Sequence, residues 1–369
     1  MKRLESEVSR RTLLRGALAG AAGTGALAVV GCGSDEDRPP TATAAPATVT
    51  SAPTSSAPAT NSVGAWREIE TTGGPSARRD HSLTLDADDG LIYLFGGRAG
   101  GKANDDLWTF DTVARTWKQI DADGPPKRFG HNAVYDRPRK RLIVTLGQSE
   151  DGFFNDVWAY AGENWKQLDT GGGDKPEIRY GAGAAHDEAK SALWISHGFT
   201  DQGRFDDTWM FDLSDDAWKK LSTSGTVPIK RCLTRCLWLS APQQMLLFGG
   251  QTDDTPFLGD EWRLDTTKRT WQQQQPATAP GARNLYGASL DASGKRWFVV
   301  TGNTPDGPTQ ETWMYDIASG GWSLVPTSGT SISARYGADA AIAGTSLYVF
   351  GGHDGDAEVG DTWALEVGS

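Results

Sequence analysis

The sequence predicts an all-β protein of many short strands joined by tight turns, and three observations point that way. Glycine supplies 45 of the 369 residues and tryptophan 15, a composition that suits short strands and tight turns better than helices. From Trp66 onward the sequence repeats itself with a period of about 50 residues, which sets the architecture before any local reading does. Every aromatic residue lies at or after Trp66, so the packed core begins there. The net charge of −11 and a pI near 5.0 argue against nucleic acid as a partner, which normally calls for a basic face. Three cysteines are too few for a disulfide scaffold.

The segment before the core reads as a sorting device. Lys2, Arg3, Arg10 and Arg11 precede a weakly apolar run from Gly16 to Gly31. That run is shorter than the roughly 20 residues a spanning helix needs, which favours a removable signal over residues 1–31. Ser9-Arg10-Arg11-Thr12-Leu13-Leu14 resembles the twin-arginine export motif, with Leu13 where Phe is commoner. Val29-Val30-Gly31-Cys32 resembles a bacterial lipobox, which implies lipid attachment at Cys32 and anchoring to the outer face of the cell membrane. Cleavage before Cys32 removes five cationic and two acidic side chains, so the mature charge becomes −14. Such a surface has no electrostatic affinity for anionic lipid, and attachment would rest on the acyl chains. Residues 32–63 are rich in Pro, Ala, Thr and Ser, the composition of an extended, disordered tether.

Residues 64–369 carry six copies of one unit. Each opens on an arginine: Arg78, Arg128, Arg179, Arg231, Arg283 and Arg335. An apolar strand ending in glycine follows, as in Leu91-Ile92-Tyr93-Leu94-Phe95-Gly96-Gly97, although three copies keep a single glycine, Gly147, Gly198 and Gly302. Next comes an acid two residues before a tryptophan: Asp106, Asp156, Asp207, Asp260, Glu311 and Asp361. A second tryptophan closes the unit at Trp117, Trp165, Trp218, Trp271 and Trp322. This pattern resembles the kelch repeat, and the resemblance implies a six-bladed β-propeller like the central domain of galactose oxidase. The sixth closing tryptophan is Trp66, which precedes the first arginine. Its strand is therefore expected to become the outermost strand of the last blade, so that both ends of the chain close the ring.

Strands are named a to d from the axis outward. The arginine then begins strand a, the glycine ends strand b and the acid begins strand c, all at one face. Strands a and c are two spacings apart, about 9.6 Å, and a guanidinium crossing over glycine would bridge them. A planar fork that grips a carboxylate with two bonds suits the task. Six equivalent copies favour this structural role over anion binding. The closing tryptophans are expected to pack between blades, and Trp194, Trp238 and Trp297 in the core.

Function is expected where the repeat is broken. Just after the strand b glycine stand Arg98, Gln148, Phe199, Gln251, Asn303 and His353, mostly polar, mutually different and on loops that a rigid ring presents. Arg98, Gln148, Gln251, Asn303 and His353 are the candidate ligand-binding rim. Cys232 and Cys236 are read on the inner strand of blade four, too far apart for a disulfide in an extended chain. Cys236 occupies a column held elsewhere by Ala133, Ala184, Ala288 and Ala340.

The copper-radical relatives of galactose oxidase need two His, two Tyr and a Tyr-linked Cys. His81, His131, His186, His197 and His353 offer no such set, although His197 and His353 are read as facing each other across the mouth. Sialic acid epimerases, six-bladed kelch proteins, would need an acid or base there, for which His353 with Asp354 is the candidate. The iron-holding pattern of plant nitrile-specifier proteins finds no match. The favoured reading is a monomeric, exported lipoprotein with neither metal nor cofactor, whose propeller binds a protein or a glycan. A carbohydrate-active enzyme is the alternative.

Overall fold

The computed structural model describes residues 64–169 and 173–368. The expected signal, the expected lipid attachment at Cys32 and the expected tether lie outside them. Six four-stranded antiparallel sheets follow one another along the chain. In blade one, strands a to d are Ser82–Asp86, Leu91–Phe95, Leu107–Asp111 and Thr116–Ile120. The inner strands of blades two to six are Asn132–Asp136, Gly183–Asp187, Arg235–Leu239, Gly287–Leu290 and Asp339–Ala343.

Burial follows position in the blade. Strand b of blade three, Ala192–Ser196, is buried along its whole length, because sheets cover both its faces. Strand d of blade one, Thr116–Ile120, buries Trp117 and exposes Thr116, Lys118 and Gln119. One buried residue among exposed polar ones marks an outer strand with its far edge in water.

The outermost strand of blade six is Trp66–Glu68, which pairs antiparallel with Thr362–Glu366, Trp66 opposite Leu365 and Glu68 opposite Trp363. The Ile69 N–H donates to the Thr362 carbonyl at 2.8 Å, and Trp66 is 3% exposed. The ring is thus a six-bladed propeller closed by its own N-terminal strand.

The closing tryptophans reach into the preceding blade. Trp117 Nε1 donates to Thr362 Oγ1 at 3.1 Å, and Trp322 Nε1 to Glu261 Oε2 at 2.9 Å. The ring of Trp165 lies 5.3 Å from Phe95, and that of Trp271 lies 6.1 Å from His197. Each fills the wedge between two diverging sheets with a large apolar surface. Trp194, Trp238 and Trp297 are buried, the first two stacked at 5.8 Å.

Cys232 and Cys236 are both free and buried. Cys236 lies on strand a of blade four, but Cys232 precedes that strand and pairs with Gln251 in an isolated bridge. The strand starts only at Arg235 because Leu233 takes a left-handed φ of 57° that breaks the extended run.

Deleting Trp66 to Ile69 exposes the edge of Thr362–Glu366 and empties the last inter-blade wedge. The variant is expected to lose its cooperative melt and to aggregate. A soluble deletion variant with an unchanged transition would show that this strand does not close the ring.

Candidate binding site at the axial mouth

The mouth is built on six equivalent corners. Arg78, Arg128, Arg179, Arg231, Arg283 and Arg335 are each at most 1% exposed. Their Nη1 atoms donate to the main-chain carbonyl at the end of strand b, at Gly96, Leu146, His197, Gly249, Thr301 and Gly351, over 2.9–3.1 Å. Five grip their acid with both Nη atoms at 2.5–3.1 Å: Asp106, Asp156, Asp207, Asp260 and Asp361. Arg283 holds Glu311 through one bond of 2.7 Å.

Each acid has a second donor. Two residues on, on the same face of strand c, the indole Nε1 of Trp108, Trp158, Trp209, Trp262, Trp313 or Trp363 donates to it at 2.6–3.0 Å. Burial pushes the Asp207, Asp260, Glu311 and Asp361 carboxyls up, but these donors outweigh it and hold all four below the usual range. The acid-x-Trp spacing carried this signal, since residues i and i+2 of a strand share a face.

The corner carbonyl points at the arginine because its residue is left-handed, with φ of 60–67° in all six blades, Leu146, His197 and Thr301 included. The next residue is always glycine, at φ of 96–111°. A Cβ there would come within 2.6–3.0 Å of its nearest neighbour. The sequence placed the need for glycine in the arginine's path. The structure places it in this φ and in close approach to the segment leading into strand a of the same blade. That glycine's N–H donates to the next blade's arginine carbonyl at 2.8–2.9 Å in every seam, the last running from Gly352 to Arg78.

Closer to the axis, Asp80, Gly130, Gly181, Leu233, Leu285 and Gly337 are all left-handed, with φ of 51–70°. Five of them donate an N–H to the preceding blade's carbonyl at 2.7–3.0 Å, forming a hoop around the axis. Among the described residues the link from Leu285 to Leu233 is not made. Arg235 spans that seam instead, Nε donating to the Tyr286 carbonyl at 3.3 Å and Nη2 to Asp339 Oδ1 at 3.2 Å. Asp339 Oδ2 in turn accepts from the Leu83 N–H at 2.9 Å, so blade four is tied to blades five, six and one.

The hoop encloses a cavity of about 50 Å³ at the axis, lined by Asp80, His81, His131, Asn132, Arg235 and Tyr286 among others. That is room for roughly three or four waters. Burial and the nearby arginines hold His81 down to about 3 and His131 well below the ordinary value, so both rings are neutral. Burial raises Asp80 despite Arg79, Arg98 and Arg235. Asn132 Nδ2 and His131 Nδ1 have no partner.

The rim residues stand one step outside this cavity. Arg98, Gln148, Phe199, Gln251, Asn303 and His353 pair through the main chain with Arg79, Phe129, Tyr180, Cys232, Asn284 and Tyr336. All six are half-buried, and none lines the cavity. The Arg98 guanidinium lies over Phe129 at 5.5 Å, Gln251 Oε1 accepts from Asn284 Nδ2 at 3.1 Å, and His353 stacks on Tyr336 at 5.1 Å. His197 does not face His353 across the mouth. It is the left-handed corner residue of blade three, fully buried, with its ring against Trp271.

Sequence reasoning missed the cavity residues, which follow each corner arginine by two to four positions. The glycines at three of six hoop positions were the available sign of a left-handed turn there. Among the described residues no group of three or more His, Cys, Asp or Glu side chains gathers in metal-binding geometry.

The family described as the KLHDC2/KLHL20/DRC7 Kelch-repeats domain matches residues 59–241 and 234–369. An F-box/kelch-repeat protein of Arabidopsis thaliana is 29% identical over 213 residues, 53% of this chain and 44% of its own length. A leucine-zipper-like transcriptional regulator 1 homologue of Drosophila melanogaster is 24% identical over 79% of this chain and 31% of its own. The flagellar outer-arm dynein alpha chain of Chlamydomonas reinhardtii is 29% identical over 56% of this chain and 5% of its own. The chain thus spans less than half the length of each of these relatives.

Replacing Arg179 with Ala leaves Asp207 with no counter-charge and the His197 carbonyl without its donor. It should cost about 3 kcal/mol or more in chemical denaturation. Because the Asp207 carboxyl is depressed in the folded state, its contribution is present above the ordinary carboxylate range and lost as pH falls through the folded value. The gap between wild type and variant should therefore narrow in acid, and an equal gap at neutral and acid pH would refute the bridge.

Gly302→Ala and Thr301→Gly form a matched pair. The first brings a Cβ within 2.9 Å of Tyr286 Cβ and should lower the melting temperature. The second relieves a left-handed threonine and should be neutral or stabilising by up to about 1 kcal/mol. The reverse order would overturn this account of the corner.

Proposed function

Since the chain belongs to the KLHDC2/KLHL20/DRC7 Kelch-repeats domain family, we propose that it is an interaction module that captures a protein partner at its axial mouth. One observation carries the reading. The corner arginine, glycine and acid recur in all six blades, whereas the mouth residues around them differ from blade to blade. A scaffold held constant beneath a varied surface is the arrangement of a binding site on a rigid frame. The first two relatives bear names of regulatory and F-box proteins, which agrees with partner capture.

The same proposal places the ring outside the cytoplasmic membrane, exported through the twin-arginine-like signal and held by lipid on Cys32 through the tether. The second reading, a carbohydrate-active enzyme, draws on His353. Burial and Arg79 lower its imidazole, leaving a neutral base at the rim beside Asp354. A glycan is the ligand class for that reading.

Two measurements test these assignments. Replacing Cys32 with Ala should move the protein from the membrane fraction to the soluble fraction, and continued membrane association would contradict lipidation. Replacing Arg98 and His353 together with Ala should abolish partner pull-down while leaving the melting temperature unchanged. Loss of a sugar turnover in that double variant would favour the enzyme instead.

A further inference from the structure

The hairpins that project beyond the mouth are acidic at their tips. Asp201 lies on blade three, Asp254 on blade four, Asp306 on blade five, and Asp354 and Asp356 on blade six. None of these five has a Lys or Arg nitrogen within 4 Å among the described residues, whereas on blade two Lys127 meets Glu150 and Asp151. Main-chain N–H groups of Ala357 and Asp356 hold the Asp354 carboxyl low, so it is ionised.

Inside this crown three of the four arginines are already spent. Arg79 meets Glu358 and Asp80, Arg204 meets Asp253, and Arg235 meets Asp339. Arg98 alone of the four lacks a carboxylate, and it rests on Phe129. Five free carboxylates therefore face one free guanidinium and one free ammonium, Lys102 on the blade-one hairpin. The opposite face is mixed, with Arg115, Lys140, Lys268 and Arg269 beside its own acids.

A second, independent observation lies at the centre of the crown. Asn132 is 4% exposed, lines the axial cavity and leaves Nδ2 without a partner, as does Nδ1 of His131, 5% exposed. Half-buried Phe153 and Phe199, on the hairpins of blades two and three, meet edge to face at 6.1 Å, and Arg204 already lies over Phe199 at 5.2 Å. Aromatic faces accept the stems and charges of Lys and Arg.

We propose that the axial mouth docks a cationic polypeptide segment, its Lys and Arg side chains facing the acidic hairpin tips while a polar group enters the axial cavity. This rests on the interaction-module reading and fixes the sign of the partner. Uncompensated carboxylates ringing a concave face attract and orient a cation over distances comparable to the Debye length. Charge complementarity then selects against acidic partners.

The test uses the full chain and a fluorescent deca-lysine peptide, with deca-glutamate as counterpart. Deca-lysine should bind, weakening as salt is raised. The triple variant Asp306→Lys, Asp354→Lys, Asp356→Lys should lose more than about tenfold in affinity. Asp89→Lys, Glu163→Lys, Glu188→Lys on the opposite face makes the same change in net charge and should stay within about twofold. Melting temperatures report whether each variant is folded. Equal losses in both triples, or no binding of deca-lysine, would overturn the proposal. Binding of deca-glutamate that Arg98→Ala abolishes would overturn the cationic partner yet leave the mouth as an interaction site.

Discussion

A buried guanidinium four residues ahead of each inner strand, not at its first residue as the sequence suggested, is the constraint on which this ring depends. It ties three pieces of its own blade together: the acid of strand c, the left-handed carbonyl ending strand b, and the loop leading into strand a. The main-chain carbonyl of the same residue accepts the glycine N–H of the preceding blade. One residue per blade therefore fixes both the internal geometry of a sheet and its angle to the neighbour. A buried charge is costly unless its geometry is satisfied on all sides. Here each arginine spends Nε and both Nη atoms, and each acid accepts an indole as well.

The corner also separates positions that tolerate change from those that do not. Leu146, His197 and Thr301 occupy the first left-handed site at φ of 60–65°, a strained but accessible conformation for a side chain. The second site lies near φ of 100°, where only glycine is at ease and where a Cβ would strike the segment leading into strand a. Side chains beyond the corner bear none of these duties, which is why the mouth differs from blade to blade without disturbing the frame.

Much of this was legible in the sequence. The six arginines, six acids and six closing tryptophans gave the blade count, and the placement of Trp66 gave the closure. Those features recur at fixed spacing, and strand geometry turns spacing into position. The cavity was not legible, because it is formed by residues from all six blades converging on the axis. Arg235 reads in sequence as one more strand residue. Only the ring brings it against Tyr286 and Asp339, both more than 50 residues away. His197 shows the opposite failure: its position in the repeat was read correctly, but a left-handed turn drove its ring inward. The rim residues fell on the right loops, one layer outside the groups that meet at the axis.

Closure by the first strand has a consequence for how the molecule is made. Trp66–Glu68 is the first of these strands to leave the ribosome and must wait for Thr362–Glu366, almost three hundred residues later, before it finds its sheet. Until then five blades stand with an unsealed flank, and a long loop must be closed before its contacts return any stability. Completion of the circle thus waits for the last blade, and a chain threaded through a membrane while still growing would arrive on the far side with its two ends uncoupled.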